Sequence, residues 1–401
     1  MMKKNKVNTG FGTLCVGTIQ TEKKIKPHNE PIYATSAYLF DHTNEAIEIF
    51  KNKDKGFTYS RWANPTVELC EKKIAMLESF GSQLKTDAQL FSSGMAAITA
   101  ALLSCLSPGD SVLTQHIFYG TTDELIKSEL KNFGINQLQA NLNNLNEVET
   151  ILKKNKKIKV IYVETPSNPL LECIHLKNLA TISKKYHCKL LVDNTFATPF
   201  LQRPLLLGAD LSIHSTTKYL NGHGSGLGGV VIGEKKFIKE EVWKKVKLMG
   251  GNSNAWDAWL ILNGMKTLEL RMQRHCSNAK QVANFLSEHK AVRTVHYPAL
   301  KNHPTYTIAK QQMHDFGGML SFELKGGFKA GIAFMNHISV GNLVTTLGTT
   351  DTIFLHPASM SHVNVSKEQR LKFGIHDGLI RMSVGIENIE DILNDLENTL
   401  K

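Results

Sequence analysis

Leu190-Leu191-Val192-Asp193-Asn194-Thr195 and, a little further on, Leu211-Ser212-Ile213-His214-Ser215-Thr216-Thr217-Lys218 decide how this chain folds. An apolar run ending in Asp predicts a buried parallel strand that delivers a carboxylate at its C-terminal end. The second run predicts another short strand, ending in a hydroxyl cluster and one lysine. A carboxylate and a lysine at neighbouring strand ends are what pyridoxal phosphate requires. The lysine amine holds the aldehyde as a Schiff base, and the carboxylate keeps the pyridine nitrogen protonated so that the ring draws electrons. Nearby hydroxyls and amides can hold the phosphate. The two segments also read as a surface lysine and a strand-end aspartate that never meet, so the surrounding chain has to decide.

On both sides, strand and helix patterns alternate. Strands fit Ala88 to Phe91, Ser111 to Thr114, Lys159 to Glu164, Lys189 to Asn194, Leu211 to His214 and Gly229 to Gly233. Helical patterns lie between most of them, for example at Leu176 to Tyr186 and from Ser93-Gly94-Met95 onward. Such alternation predicts an α/β fold with a mostly parallel sheet covered on both faces. Residues 1–65 are turn-rich and weakly periodic, punctuated by Pro27, Pro31, Gly56 and Pro65. An arm of that length with no core of its own is expected to pack on something, a neighbouring subunit included. A long amphipathic stretch from Trp256 to Leu286, interrupted near Gly264, leads into an α+β remainder. That remainder has strands at Gly318 to Leu324 and Leu379 to Val384, and helices at Phe328 to Asn336 and Ile389 to Leu400. The expected division is an arm at 1–65, a cofactor-binding α/β domain at 66–262 and a smaller C-terminal α+β domain at 263–401.

Bulk properties narrow the function. A chain of 401 residues buries a large core and suits two domains, and 42% hydrophobic residues is ordinary for a globular protein. No apolar run is long enough for a membrane span, and the basic start is not followed by a signal-peptide core. The six cysteines are scattered without a C-x-x-C pair, which fits reduced cytosolic thiols rather than disulfides or a zinc site. A net charge of +11 comes largely from lysines spread along the chain. Their local runs lack interleaved aromatics and read as solvated helix ends rather than a nucleic-acid surface.

Single motifs are weaker. Gly94 follows a strand and opens a helix, where backbone amides bind phosphate, although a glycine can serve the turn alone. Gly224-Ser225-Gly226-Leu227-Gly228-Gly229 matches G-x-G-x-x-G but is followed by a strand, so it reads as a loop near the lysine and not as a dinucleotide site. Tyr119 could stack on a flat cofactor or be a core tyrosine. Arg381 is a charge within an apolar strand pattern, calling for either a substrate carboxylate or a structural ion pair. His356 and His362 have no metal spacing and read as loop histidines.

Taken in order, these elements resemble a family of pyridoxal-phosphate enzymes of cysteine and methionine metabolism. It includes cystathionine γ-synthase, the cystathionine γ- and β-lyases, methionine γ-lyase and the homoserine-ester sulfhydrylases. The resemblance runs from about Thr35 to the C-terminus and rests on Asp193-Asn194-Thr195 followed by Ser215-Thr216-Thr217-Lys218-Tyr219-Leu220-Asn221-Gly222-His223. It implies a fold-type I PLP-dependent transferase fold and a cytoplasmic homotetramer, a dimer of dimers with active sites shared between subunits. It also implies roles. Lys218 would carry the cofactor and move protons, with Tyr119 and Tyr59 as further catalytic groups. Asp193 would face the pyridine nitrogen, Tyr119 would stack on the ring, and Asn168 would sit near the ring hydroxyl. Gly94, Met95, Ser215 and Thr217 would hold the phosphate, joined by Tyr59 and Arg61 from a neighbouring subunit. Arg381, Thr345, Thr346 and Asn168 would meet the substrate.

Some positions depart from the family's subgroups. Enzymes that handle cystathionine usually have Glu then Ser where Thr345-Thr346 stands, and methionine γ-lyases an apolar residue then Ser. Methionine γ-lyases also have Cys where Thr121 stands, and a Lys-Asp pair absent around Leu248-Met249-Gly250. Yet Leu355-His356-Pro357-Ala358-Ser359-Met360-Ser361-His362 is most similar to that subgroup, while Gly226-Leu227 is similar to some sulfhydrylases. The expectation is a carbon–sulfur lyase acting by γ- or β-elimination on a sulfur amino acid. The enzymatic alternative is γ-replacement on O-acetyl- or O-succinylhomoserine. A non-catalytic basic binding protein is the remote alternative, since it leaves Lys218, Asp193, Tyr59 and Arg61 unexplained.

Overall fold

The computed structural model describes residues 10–18, 27–51, 56–361, 363 and 366–401. His362 and the basic start lie outside them. Twelve strands form two sheets. The first holds β1 (Thr86–Phe91), β2 (Ser111–Thr114), β3 (Asn136–Gln139), β4 (Ile158–Glu164), β5 (Lys189–Asp193), β6 (Leu211–His214) and β7 (Gly229–Glu234), in the order β1-β7-β6-β5-β4-β2-β3. Only β7 runs against its neighbours; the other six strands point the same way. The second holds β8 (Val292–His296), β9 (Met319–Leu324), β10 (Asn342–Leu343), β11 (Ile353–Leu355) and β12 (Leu379–Ser383), in the order β10-β11-β12-β9-β8.

Period-two alternation assigns each side chain of the first sheet to a face. Val160, Tyr162, Leu191 and Ile213 pack with Ala97, Ile98, Ala101 and Leu102 of the helix Gly94–Cys105. Ile161, Val163, Leu190 and Val192 pack on the other side with Val148, Leu152, Leu176 and Leu179. Both faces are covered, which is why these strands are apolar throughout. Leu191 and Asp193 share a face, so the aspartate emerges on the side of Tyr162.

Two expectations are adjusted. The helical break between Trp256 and Leu286 falls at Lys266-Thr267, between the helices Ala255–Met265 and Leu268–Glu288. Gly264 lies inside the first helix, and the residue there is glycine because a Cβ would collide with the backbone of Asn221. The arm is also not wholly without a core in its own chain. Phe11, Leu14 and Cys15 are buried, with Phe11 edge-on to Phe80 at 5.4 Å and Phe200 at 5.5 Å. The buried Lys73 ammonium donates to the carbonyls of Leu14 (3.0 Å), Cys15 (3.3 Å) and Gly17, capping the helix Phe11–Val16. Further along, Leu39 is fully exposed and Phe50 and Ile47 are largely so.

Candidate active site

The candidate residues follow the C-terminal ends of parallel strands, at one edge of the first sheet. Gly94 comes after β1, Tyr119 after β2, Asn168 after β4, Asp193 ends β5, and Ser215 to Lys218 come after β6. This edge is where open α/β sheets bind ligands. β7 runs the opposite way, so the loop before it reaches the same edge. Its glycines serve close approach: a Cβ on Gly228 would strike the Thr216 hydroxyl. The Thr217 hydroxyl both accepts from the Gly228 N–H (3.0 Å) and donates to its carbonyl (3.2 Å), which pins the loop beside the lysine.

Asp193 is buried and receives three hydrogen bonds. The Thr195 hydroxyl (2.6 Å) and N–H (3.1 Å) donate to Oδ1, and the Tyr162 hydroxyl donates to Oδ2 at 3.2 Å. Burial raises its pKa; the Thr195 bonds, the nearby His214 and the Tyr162 bond act against that rise. Thr195 Oγ1 also accepts from the Ser215 N–H at 2.9 Å, tying the carboxylate to the hydroxyl cluster.

Beside Asp193 in register lies Glu164. Its Oε2 accepts from the Tyr119 N–H (2.8 Å) and its Oε1 from the Asn168 N–H (2.7 Å), so one carboxyl fixes both loops. Burial first, and then Asp193, push it up to about 8. Sequence reading gave Glu164, Tyr162 and Thr195 no role. For Glu164 a signal existed: like Asp193, it is a charge ending an apolar run.

The second sheet supplies the rest. Lys218 Nζ donates to Thr346 Oγ1 at 3.0 Å, and the Thr346 carbonyl accepts from Arg381 Nη2 at 2.8 Å. Arg381 Nη1 reaches Asn168 Oδ1 at 3.4 Å, while its buried Nε has no partner among the described residues. The guanidinium therefore meets only neutral oxygens; no ion pair of Arg381 is seen among the described residues, where an acid was the alternative. Burial lowers its pKa to about 10. Burial and then Arg381 lower the Lys218 ammonium to about 8. Thr345 is exposed beside them, and Tyr119 is half-exposed.

Of the residues expected to hold a phosphate, Gly94 and Ser215 lie side by side, while the Thr217 hydroxyl is engaged by Gly228. The helix's first regular bond runs from the Ala97 N–H to the Ser93 carbonyl; of the N–H groups before it the Ser93 hydroxyl takes that of Ala96, leaving Gly94 and Met95 for a ligand. A Cβ on Gly94 would lie 2.9 Å from that of Ser215, so the helix can meet the hydroxyl loop only through glycine. Tyr59 and Arg61 are not joined to this cluster. Arg61 stacks 5.4 Å from the Tyr59 ring and donates to the Lys247 carbonyl, and Tyr59 is exposed. His356 is buried, held by Ser359 and the Asp377 carbonyl, as befits a structural loop histidine.

A family model described as Cys/Met metabolism PLP-dependent enzyme matches residues 12–401. The chain is 45% identical to an L-methionine γ-lyase of Fusobacterium nucleatum subsp. polymorphum, over 92% of this chain and 93% of that protein. It is 39% identical to an O-succinylhomoserine sulfhydrylase of Pseudomonas aeruginosa, over 97% and 95%. The crystal structure of a cystathionine γ-lyase from Lactobacillus plantarum, complexed with L-serine, superposes with a TM-score of 0.89 at 36% identity, covering 98% of each chain. The chain thus belongs to the Cys/Met-metabolism family of PLP-dependent enzymes, and its fold is theirs. The residues fit that cofactor: free backbone N–H groups at a helix start, an amine whose pKa burial lowers to about 8, a hydrogen-bonded carboxylate, and a guanidinium without an ion pair among the described residues lie at one edge.

Proposed function

We propose that this chain is a carbon–sulfur lyase that carries out γ-elimination on methionine or homocysteine. The single observation that carries the reading is Thr346. Its hydroxyl meets the Lys218 amine and its carbonyl the Arg381 guanidinium. An α-amino acid brings one amine and one carboxylate at that spacing. Thr345 beside it is uncharged, so it offers no anchor to a distal ammonium such as cystathionine's. When bound, the cofactor would supply an electron sink for charge developing at the substrate α-carbon. Asp193 would face its ring nitrogen; Gly94, Met95, Ser215 and Thr217 would hold its phosphate; Asn168 would sit by its ring hydroxyl. Arg381 orients the substrate by its carboxylate. Lys218 Nζ takes the Cα proton, and a pKa near 8 suits that task near neutral pH. Tyr119 would lie over the cofactor ring, where its phenol can give a proton to the departing sulfur.

The assay measures 2-oxo acid and thiol release by the pure enzyme. Release from methionine or homocysteine should exceed that from cystathionine, and Thr345→Glu should tilt kcat/KM toward cystathionine. Faster turnover of O-acetyl- or O-succinylhomoserine with sulfide would replace this reading with γ-replacement.

The proposal includes a cytoplasmic homotetramer whose sites are shared. Its support is that Tyr59 and Arg61 stand apart from the Lys218 cluster on a segment with exposed apolar residues. Arg61→Ala should weaken cofactor retention by roughly tenfold or more, since a phosphate loses a charge-assisted donor. Mixing Arg61→Ala with Lys218→Ala subunits should restore activity, because one site of a mixed dimer regains both groups. Mixed oligomers that form and stay inactive contradict sharing.

A further inference from the structure

Asp193 is held from two sides. Thr195 approaches Oδ1 from the next turn of chain and continues to Ser215. Tyr162 approaches Oδ2 from the middle of β4. Tyr162 is fully buried and pairs in register with Leu191, two residues before Asp193 on the same face. Its ring packs 5.8 Å from Phe118, which fixes its direction. Thr122 lies beside the same phenol, and its hydroxyl donates to Met95 Sδ at 3.8 Å. A line of neighbouring groups therefore runs from Asp193 through Tyr162 and Thr122 to Met95, at the helix start. A second runs through Thr195 to Ser215, beside Gly94.

We propose that Tyr162 is a positioning residue that holds Asp193 ionised and aimed at the cofactor ring, and so sets how fully the ring nitrogen is protonated. The inference rests on the pyridoxal-phosphate reading of this site. Burial, and then Asp193, raise the phenol well above its usual range, so Tyr162 stays protonated and can only donate to the carboxylate. The donation matters because the other ionisable groups around Asp193 do not hydrogen-bond to it: His214, the last residue of β6, faces Ser212 and Glu78, and Glu164 has its oxygens occupied by Tyr119 and Asn168. Without the phenol, the carboxylate becomes more basic. It then draws the proton from the ring nitrogen toward itself, and the ring withdraws less charge.

The test is Tyr162→Phe, a change that keeps the ring and removes one oxygen. The variant should still bind pyridoxal phosphate on Lys218 with a visible chromophore; failure there with wild-type protein as well would instead sink the cofactor reading. In the holoenzyme the pH midpoint of the visible absorption should move up, because a less protonated ring lowers the basicity of the lysine link less. The kcat should fall about tenfold with KM little changed, as expected for one hydrogen bond to a charged group. A holoenzyme whose midpoint and kcat both match wild type overturns the proposal. If Tyr162→Phe does not fold, Phe118→Leu serves: it removes the ring that fixes the direction of the phenol and should move the midpoint the same way by a smaller amount, and an unmoved midpoint overturns the proposal.

Discussion

Lys218→Ala should fold, bind substrate and lose essentially all elimination activity. The amine lies in a desolvated place beside Arg381, which brings its pKa to about 8. A buried ammonium next to a guanidinium does not stabilise the fold, so its removal costs little structure. What goes is the covalent attachment and the base. Loss of a proton-transfer group alone typically costs up to about 10⁴-fold, and the visible chromophore should vanish with it. The lowered pKa has a second consequence with a definite sign. The nucleophile is the free amine, which predominates above about pH 8. Cofactor capture by apoenzyme should therefore quicken as pH rises toward about 8 and level off above it. Borohydride reduction of the wild-type holoenzyme, followed by peptide mapping, should place the pyridoxyl label on Lys218. A label on any other lysine would falsify the assignment.

The strands that carry this lysine and its aspartate were legible because both faces of them are buried. A run such as Leu190-Leu191-Val192 has to be apolar throughout when helices cover the sheet on both sides. β3, whose Asn136, Gln137 and Gln139 are polar, sits at the edge of the sheet and is half-exposed, so no apolar run announced it. β8 includes exposed Arg293 and Thr294, and was missed for the same reason. The catalytic candidates followed the same logic. Lys218 and Asp193 stand out as charges beside apolar runs. Tyr162 and Thr195 do not, because a tyrosine inside a strand and a threonine after one are ordinary. Their contribution lies in which oxygen they face, and that is settled by register between strands distant in sequence. Thr346 is the extreme case: its hydroxyl reaches Lys218 and its carbonyl reaches Arg381 across two sheets.

Arg381→Lys should impair catalysis strongly while leaving the resting chromophore close to wild type. The guanidinium is spent on neutral oxygens, at Thr346 and Asn168, and its Nε is buried without a partner among the described residues. A planar fork with a free donor is suited to a carboxylate, which accepts two parallel hydrogen bonds from it. Lysine keeps the charge but presents a single flexible ammonium, and cannot reproduce that fork. Breaking a buried, charge-assisted contact of this kind typically costs roughly 2–5 kcal/mol, which is at least about 30-fold in kcat/KM. The cofactor itself is held elsewhere, by the helix start at Gly94, by Asp193 and by Lys218, so its absorption and its affinity should change little. The comparison has a built-in control. A substrate analogue lacking the α-carboxylate should lose turnover with the wild-type enzyme, and Arg381→Lys should make no further difference to it. A variant that still discriminates as sharply between acid and carboxylate-free analogue would show that the carboxylate is bound by another group, and that Arg381 is a structural charge after all.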